Sequence, residues 1–69
     1  MAAPIRNRLR ELRFHAGEMT QAELALKVGV TRQTIVAIEK AQYAPSLEVA
    51  FRLARAFDVG IERVFWWEE

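Results

Sequence analysis

Four polar side chains lie close together near the middle of the chain: Arg32, Gln33, Thr34 and, two turns further on, Lys40. Arginine carries a forked donor that matches guanine O6 and N7. Glutamine carries a donor–acceptor pair that matches adenine N6 and N7. Held on one helix face, such groups suit base edges better than bond-breaking chemistry. The rest of the sequence offers little for catalysis. His15 is the only histidine, there is no cysteine, and the carboxylates are scattered. An enzyme needs acid, base or nucleophile groups that converge, so neither an enzyme, a metal site, a cofactor nor a small-molecule substrate is expected.

The elements that must position those four residues are written in residues 20–40, TQAELALKVGVTRQTIVAIEK. Thr20 followed three residues on by Glu23 is the spacing of a capping box and predicts a helix start. Leu24, Ala25 and Val28 recur at helical spacing. Gly29 ends the helix where a left-handed residue is needed. Val30 turns inward, and Thr31 caps a second helix, whose buried stripe is Ile35 and Ile38. Two short helices joined by a glycine turn, the second with a polar outer face, form the pattern of a helix-turn-helix DNA reader.

Length and charge fit this reading. Sixty-nine residues make one small domain, taken as 1–69 with a core over 5–65 and the helix-turn-helix over 21–40. No apolar run approaches the roughly 20 residues needed to cross a membrane, and the N-terminus lacks an apolar signal core. A cytoplasmic protein with no membrane partner is expected. Residues 1–40 carry seven Lys/Arg against four Glu, and residues 41–69 carry three Arg against five acidic residues. The basic part therefore contains the reader, as a DNA-facing surface requires.

Residues 1–4 read as a loose lead-in. A first helix is expected over about 5–16, with Ile5, Leu9 and Leu12 on one face. Arg6, Arg10 and Arg13 lie on a neighbouring face, either as a solvated surface or, for Arg6 and Arg10, near a DNA backbone. Gly17 closes this helix. After a loop through Tyr43 and Pro45, Ser46 caps a fourth helix, with Leu47, Ala50, Phe51, Ala54 and Phe57 as its stripe and Leu53 beside it. A short fifth helix is expected over about 61–65, and no strand.

At residues 20–40 the sequence resembles the Cro/cI-repressor family of helix-turn-helix regulators, also called the xenobiotic-response-element family. The likeness rests on Thr20-Gln21, Leu24-Ala25, Gly29-Val30-Thr31, Ile35 and Ile38-Glu39, and extends over about 5–65. The resemblance implies an all-α, compact five-helix bundle of the lambda-repressor type. It also implies a small stand-alone transcriptional regulator of a prokaryote or phage, a repressor, whose third helix enters the major groove of double-stranded DNA. It implies that Gln21 contacts a phosphate and braces the recognition helix, and that Thr31 contacts the backbone. The resemblance further implies that Arg32, Gln33, Val36 and Ala37 face base edges and that Arg13 pairs with Glu39. Three departures stand out. Glu18 reads as an extra residue before Met19-Thr20. Lys40-Ala41 replaces the family's Asn-Gly, which predicts a longer helix three or a different turn. Gly60 replaces a Ser/Thr cap of helix five, which predicts a frayed helix.

One such helix reads only a few base pairs, so a homodimer on a palindromic operator is expected, with half-sites about 34 Å apart. The expected dimer surface is the aromatic run Phe65, Trp66 and Trp67. The rival function is an antitoxin or protein-interaction module built on the same fold.

Overall fold

Three side-chain hydroxyls set the starts of the last three helices. The computed structural model describes residues 4–68, and all but Pro4 of the lead-in expected at 1–4 lies outside them. In chain order its elements are β1 (Ile5–Asn7), α1 (Leu9–His15), α2 (Gln21–Val28), α3 (Arg32–Glu39), α4 (Leu47–Ala56), a 3-10 turn (Ile61–Arg63) and β2 (Phe65–Trp67). At the start of α2, Thr20 Oγ1 accepts the Glu23 N–H at 3.0 Å, and the Glu23 carboxylate accepts the Thr20 N–H at 2.8 Å. This reciprocal pair satisfies two donors that the first helical turn leaves open. Thr31 Oγ1 accepts the Thr34 N–H, and Ser46 Oγ accepts the Val49 N–H, each at 3.2 Å. Gly29 takes the left-handed conformation at φ 79° and closes α2 with a bond to the Ala25 carbonyl.

The expectation of an all-α, five-helix bundle is corrected at both ends. There are four α-helices and a two-stranded antiparallel sheet among the described residues. The first helix begins at Leu9, not Ile5, and the expected fifth helix is a single 3-10 turn. Ile5 stands opposite Trp67, Arg6 opposite Trp66 and Asn7 opposite Phe65. The ladder is extended by the Arg8 N–H to the Val64 carbonyl at 3.0 Å and the Glu68 N–H to the Pro4 carbonyl at 2.8 Å. Asn7 marks the switch from strand to helix. Its Oδ1 accepts the Leu9 N–H at 3.1 Å, a local side-chain bond that offers the backbone an alternative to continuing the strand. Gly60 supplies no side-chain cap, and in place of the frayed helix expected there the chain makes a 3-10 turn closed by the Arg63 N–H to the Gly60 carbonyl and the Val64 N–H to the Ile61 carbonyl, each at 3.0 Å.

The core is built by Leu9 of α1, Leu24, Ala25 and Val28 of α2, Ile35 and Ile38 of α3, Leu53 and Ala54 of α4, and Val64. Burying a leucine- or isoleucine-sized side chain stabilises by about 1.5–3 kcal/mol, and six large side chains are fully enclosed here. The stripe of α4 is rotated from the expected one. Ala50, Leu53 and Ala54 are buried, whereas Leu47 and Phe51 are exposed. The helix packs against α2 and the 3-10 turn, with Leu53 fully buried and the 47/51 flank left outside.

The exit of α3 keeps the family's turn with a different residue. The Ala41 N–H bonds the Ile38 carbonyl at 2.9 Å, and the Gln42 N–H bonds the Ala37 carbonyl at 3.0 Å. That pairing is a Schellman closure, which demands a left-handed residue. Ala41 adopts it at φ 58° and is buried. Neither a longer helix nor another turn occurs.

Candidate nucleic-acid interface

The eight residues of α3 divide into two faces. Ile35 and Ile38 are fully buried, which turns the rest of the helix outward. Arg32, Gln33 and Lys40 are exposed, while Thr34, Val36 and Ala37 are half-buried. Thr31, also exposed, stands at the helix start with its hydroxyl 3.0 Å from that of Thr34. Thr31, Arg32, Gln33, Thr34, Val36, Ala37 and Lys40 therefore lie on or beside one short helix, and Gln21, half-buried, stands at the start of α2.

A chain of hydrogen bonds fixes two of these residues. Arg13 donates to both carboxylate oxygens of Glu39, from Nε at 2.7 Å and from Nη2 at 2.9 Å. Its Nη1 donates to the Met19 carbonyl at 2.9 Å. Gln21 Nε2 donates to Glu39 Oε1 at 3.1 Å, and Arg32 Nη2 donates to Gln21 Oε1 at 3.3 Å. The ion pair between α1 and the end of α3 thus orients Gln21, whose carbonyl oxygen in turn holds Arg32. Gly17 and Glu18 both take left-handed conformations, φ 84° and 58°. This absorbs the extra residue and keeps Arg13 in register with Glu39.

An open groove runs between α1, the start of α2, α3 and the sheet. It is lined by Arg8, Arg10, Arg13, Gln21, Arg32, Val36, Lys40 and Trp66, among others. Strand alternation divides the aromatic run. Phe65 packs against the core, Trp66 lines the groove, and Trp67 points to the opposite face from Trp66 and is 63% exposed. The three aromatics do not form one patch. Arg6, expected near a DNA backbone, instead pairs with Glu68 across the sheet, with Nη2 2.9 Å from Oε2.

Sequence reasoning missed Asn7 and Arg8. Asn7 Nδ2 donates to the Ile38 carbonyl at 2.8 Å, which ties β1 to the end of α3. The guanidinium of Arg8 sits 4.8 Å over the Trp66 ring. A signal was present in residues 5–10: Ile, Asn and Leu alternate with three arginines at the period of a strand.

Two exposed carboxylates are shifted by their partners. The Thr20 N–H, helped by the Thr20 hydroxyl, holds the Glu23 carboxyl below the usual carboxylate range. The Arg6 hydrogen bond does the same for Glu68.

These features define a helix-turn-helix DNA-binding domain. The helix-turn-helix family known as HTH_3 matches residues 9–64, and the chain belongs to that family. An uncharacterized HTH-type transcriptional regulator of Archaeoglobus fulgidus is 51% identical over 65 residues, 94% of this chain and 91% of its own length. YgzD, an uncharacterized HTH-type transcriptional regulator of Bacillus subtilis, is 48% identical over 65 residues, 94% of this chain and 97% of its own. Among solved structures, the restriction-modification controller protein C.AhdI from Aeromonas hydrophila superposes with a TM-score of 0.73 at 34% identity, covering 80% of this chain and 82% of its own. The protein is thus a non-enzymatic, HTH-type DNA-binding transcriptional regulator. Among the described residues, no helix is long and apolar enough to cross a membrane.

Proposed function

We propose that this regulator is a sequence-specific repressor that binds a palindromic operator as a homodimer, inserting α3 into the major groove. The observation that carries the proposal is the outward face of α3. Arg32 and Gln33 stand exposed at its N-terminal end, the end that reaches base edges first. Val36 and Ala37 form an apolar floor suited to a thymine methyl. Thr31, Gln21 and Lys40 flank this face and hold the phosphates, with Thr34 supporting Thr31. Arg32 is presented by Gln21 rather than left to roam, so less rotamer freedom is lost on binding.

Dimerisation follows from the shortness of α3. One helix of two turns reads few base pairs, and a two-fold pair doubles the site. The aromatic strand supports the pairing. Trp67 is exposed at the end of β2, and β2 pairs only with β1 among the described residues, so its outer edge can accept a second strand. Phe65 anchors that strand to the core. Occupation of the groove blocks competing proteins, which makes repression the simplest output. The 34% identical neighbour C.AhdI is a controller protein, which supports a regulatory role inside the cell.

Sedimentation equilibrium with and without a selected palindromic duplex tests this reading. Two chains per duplex, with dimer formation weakened by Trp67→Ala, are expected. One chain per duplex at saturation would overturn the dimer.

A further inference from the structure

We propose that Arg8, seated on Trp66, is a second DNA-backbone site, placed on the sheet and outside the helix-turn-helix. The inference rests on the reading of α3 as the groove-inserted helix. Three observations carry it. First, Arg8 and Trp66 line the same groove as Arg32, Val36 and Lys40. A duplex seated on α3 therefore passes them.

Second, Arg8 differs from the arginines beside it in what engages its charge. Arg6 is engaged by Glu68 and Arg13 by Glu39. Arg8 has the face of the Trp66 ring as its partner and, among the described residues, forms no ion pair, although Glu11 lines the same groove. An arginine over an indole is held by cation–π attraction while its N–H edges stay open to an anion.

Third, the site is fixed relative to α3. Asn7 bonds the Ile38 carbonyl at 2.8 Å, and the Arg8 N–H bonds the Val64 carbonyl at 3.0 Å. The guanidinium is thus presented at a set distance from the recognition helix. A phosphate is the ligand that this chemistry selects, because it accepts from a planar fork and carries the opposite charge. Such a contact adds affinity and register, not sequence preference. It also gives Trp66 a role in the groove, apart from any pairing of chains through Trp67.

The test needs no operator, because phosphate contacts dominate non-specific binding. Affinity for a mixed-sequence duplex is measured against salt for the full chain and for Arg8→Ala, Arg8→Lys and Trp66→Ala. Arg55→Ala on the exposed face of α4 serves as a control for overall charge. Thermal melts confirm that each variant is folded. Arg8→Ala is expected to weaken binding and shrink the log–log salt slope by about 0.9. Arg8→Lys should restore the slope, and Arg55→Ala should leave it unchanged. Trp66→Ala is expected to weaken binding only while Arg8 is present, the non-additivity of a positioning residue. A folded Arg8→Ala protein with the wild-type slope would overturn this inference and leave the role of α3 intact. Normal slopes with no consensus selectable from a random pool would overturn specific reading by α3 and leave the Arg8 site. Failure of the wild-type chain to bind any duplex would overturn both.

Discussion

Arg13 and Glu39 meet as a bidentate pair at 2.7 and 2.9 Å, with side chains only 14% and 10% exposed. The pair joins α1 to the last residue of α3 and accepts a further bond from Gln21. It is therefore both a brace for the fold and the anchor of the residues that present Arg32. Glu39→Ala leaves the Arg13 guanidinium largely enclosed without its counter-charge. Loss of one partner of an enclosed pair costs about 3–5 kcal/mol, and the residual exposure here places the expected cost at the low end. Urea titration of Glu39→Ala, Arg13→Ala and the double variant checks this. The double variant is expected to lose clearly less than the sum of the two.

Arg32 and Lys40 sit at opposite ends of the outward face of α3 and should fail differently. Arg32→Ala is expected to lose about 1–3 kcal/mol at the preferred site and to relax preference at one position. Lys40→Ala should weaken all sites alike and reduce the salt slope by about 1. Titrations of matched and mismatched duplexes at several salt concentrations separate the two outcomes.

Burial in α4 gives a stability prediction. Leu53 is fully enclosed and Leu47 is 70% exposed. Leu53→Ala should cost about 2–5 kcal/mol, whereas Leu47→Ala should stay within about 0.5 kcal/mol. Equal losses in a denaturant series would contradict the observed orientation of the helix.

Acid should expose the capping box. The folded Glu23 carboxyl is held below its ordinary value by the Thr20 N–H and hydroxyl. The unfolded chain therefore takes up that proton first on acidification. The stabilisation is complete above the unfolded pKa and is lost as pH falls through the folded one. Glu68, held down by Arg6, acts in the same direction. Melting temperatures followed from neutral pH into acid should fall less steeply for Glu23→Gln than for the wild-type chain.

Much of this was legible in the sequence because helix starts and stops are local chemistry. Thr20, Thr31 and Ser46 each act on a backbone N–H three residues away, so the spacing alone places α2, α3 and α4. The family pattern located the Arg13–Glu39 pair, although the two residues lie 26 apart. The sheet was not legible in the same way. Its strands are three residues each and pair from opposite ends of the chain, and Ile5, Leu9 and Leu12 also satisfy a helical stripe. The long-range ladder decided between the two. In α4, Leu47 and Phe51 share helical spacing with the true stripe, and only packing against α2 shows which flank is covered. At Ala41, the Schellman bonds outweigh the cost of a left-handed alanine, a balance that residue type alone does not reveal.

In the proposed function α3 reads sequence through Arg32 and its neighbours, with two copies acting together. Selection of bound duplexes from a random pool, carried out in parallel for the wild-type chain and Arg32→Ala, tests it most directly. A palindromic consensus with half-sites about 34 Å apart, altered symmetrically in both halves by Arg32→Ala, is the predicted result. No enrichment, or the same consensus from both proteins, would contradict it.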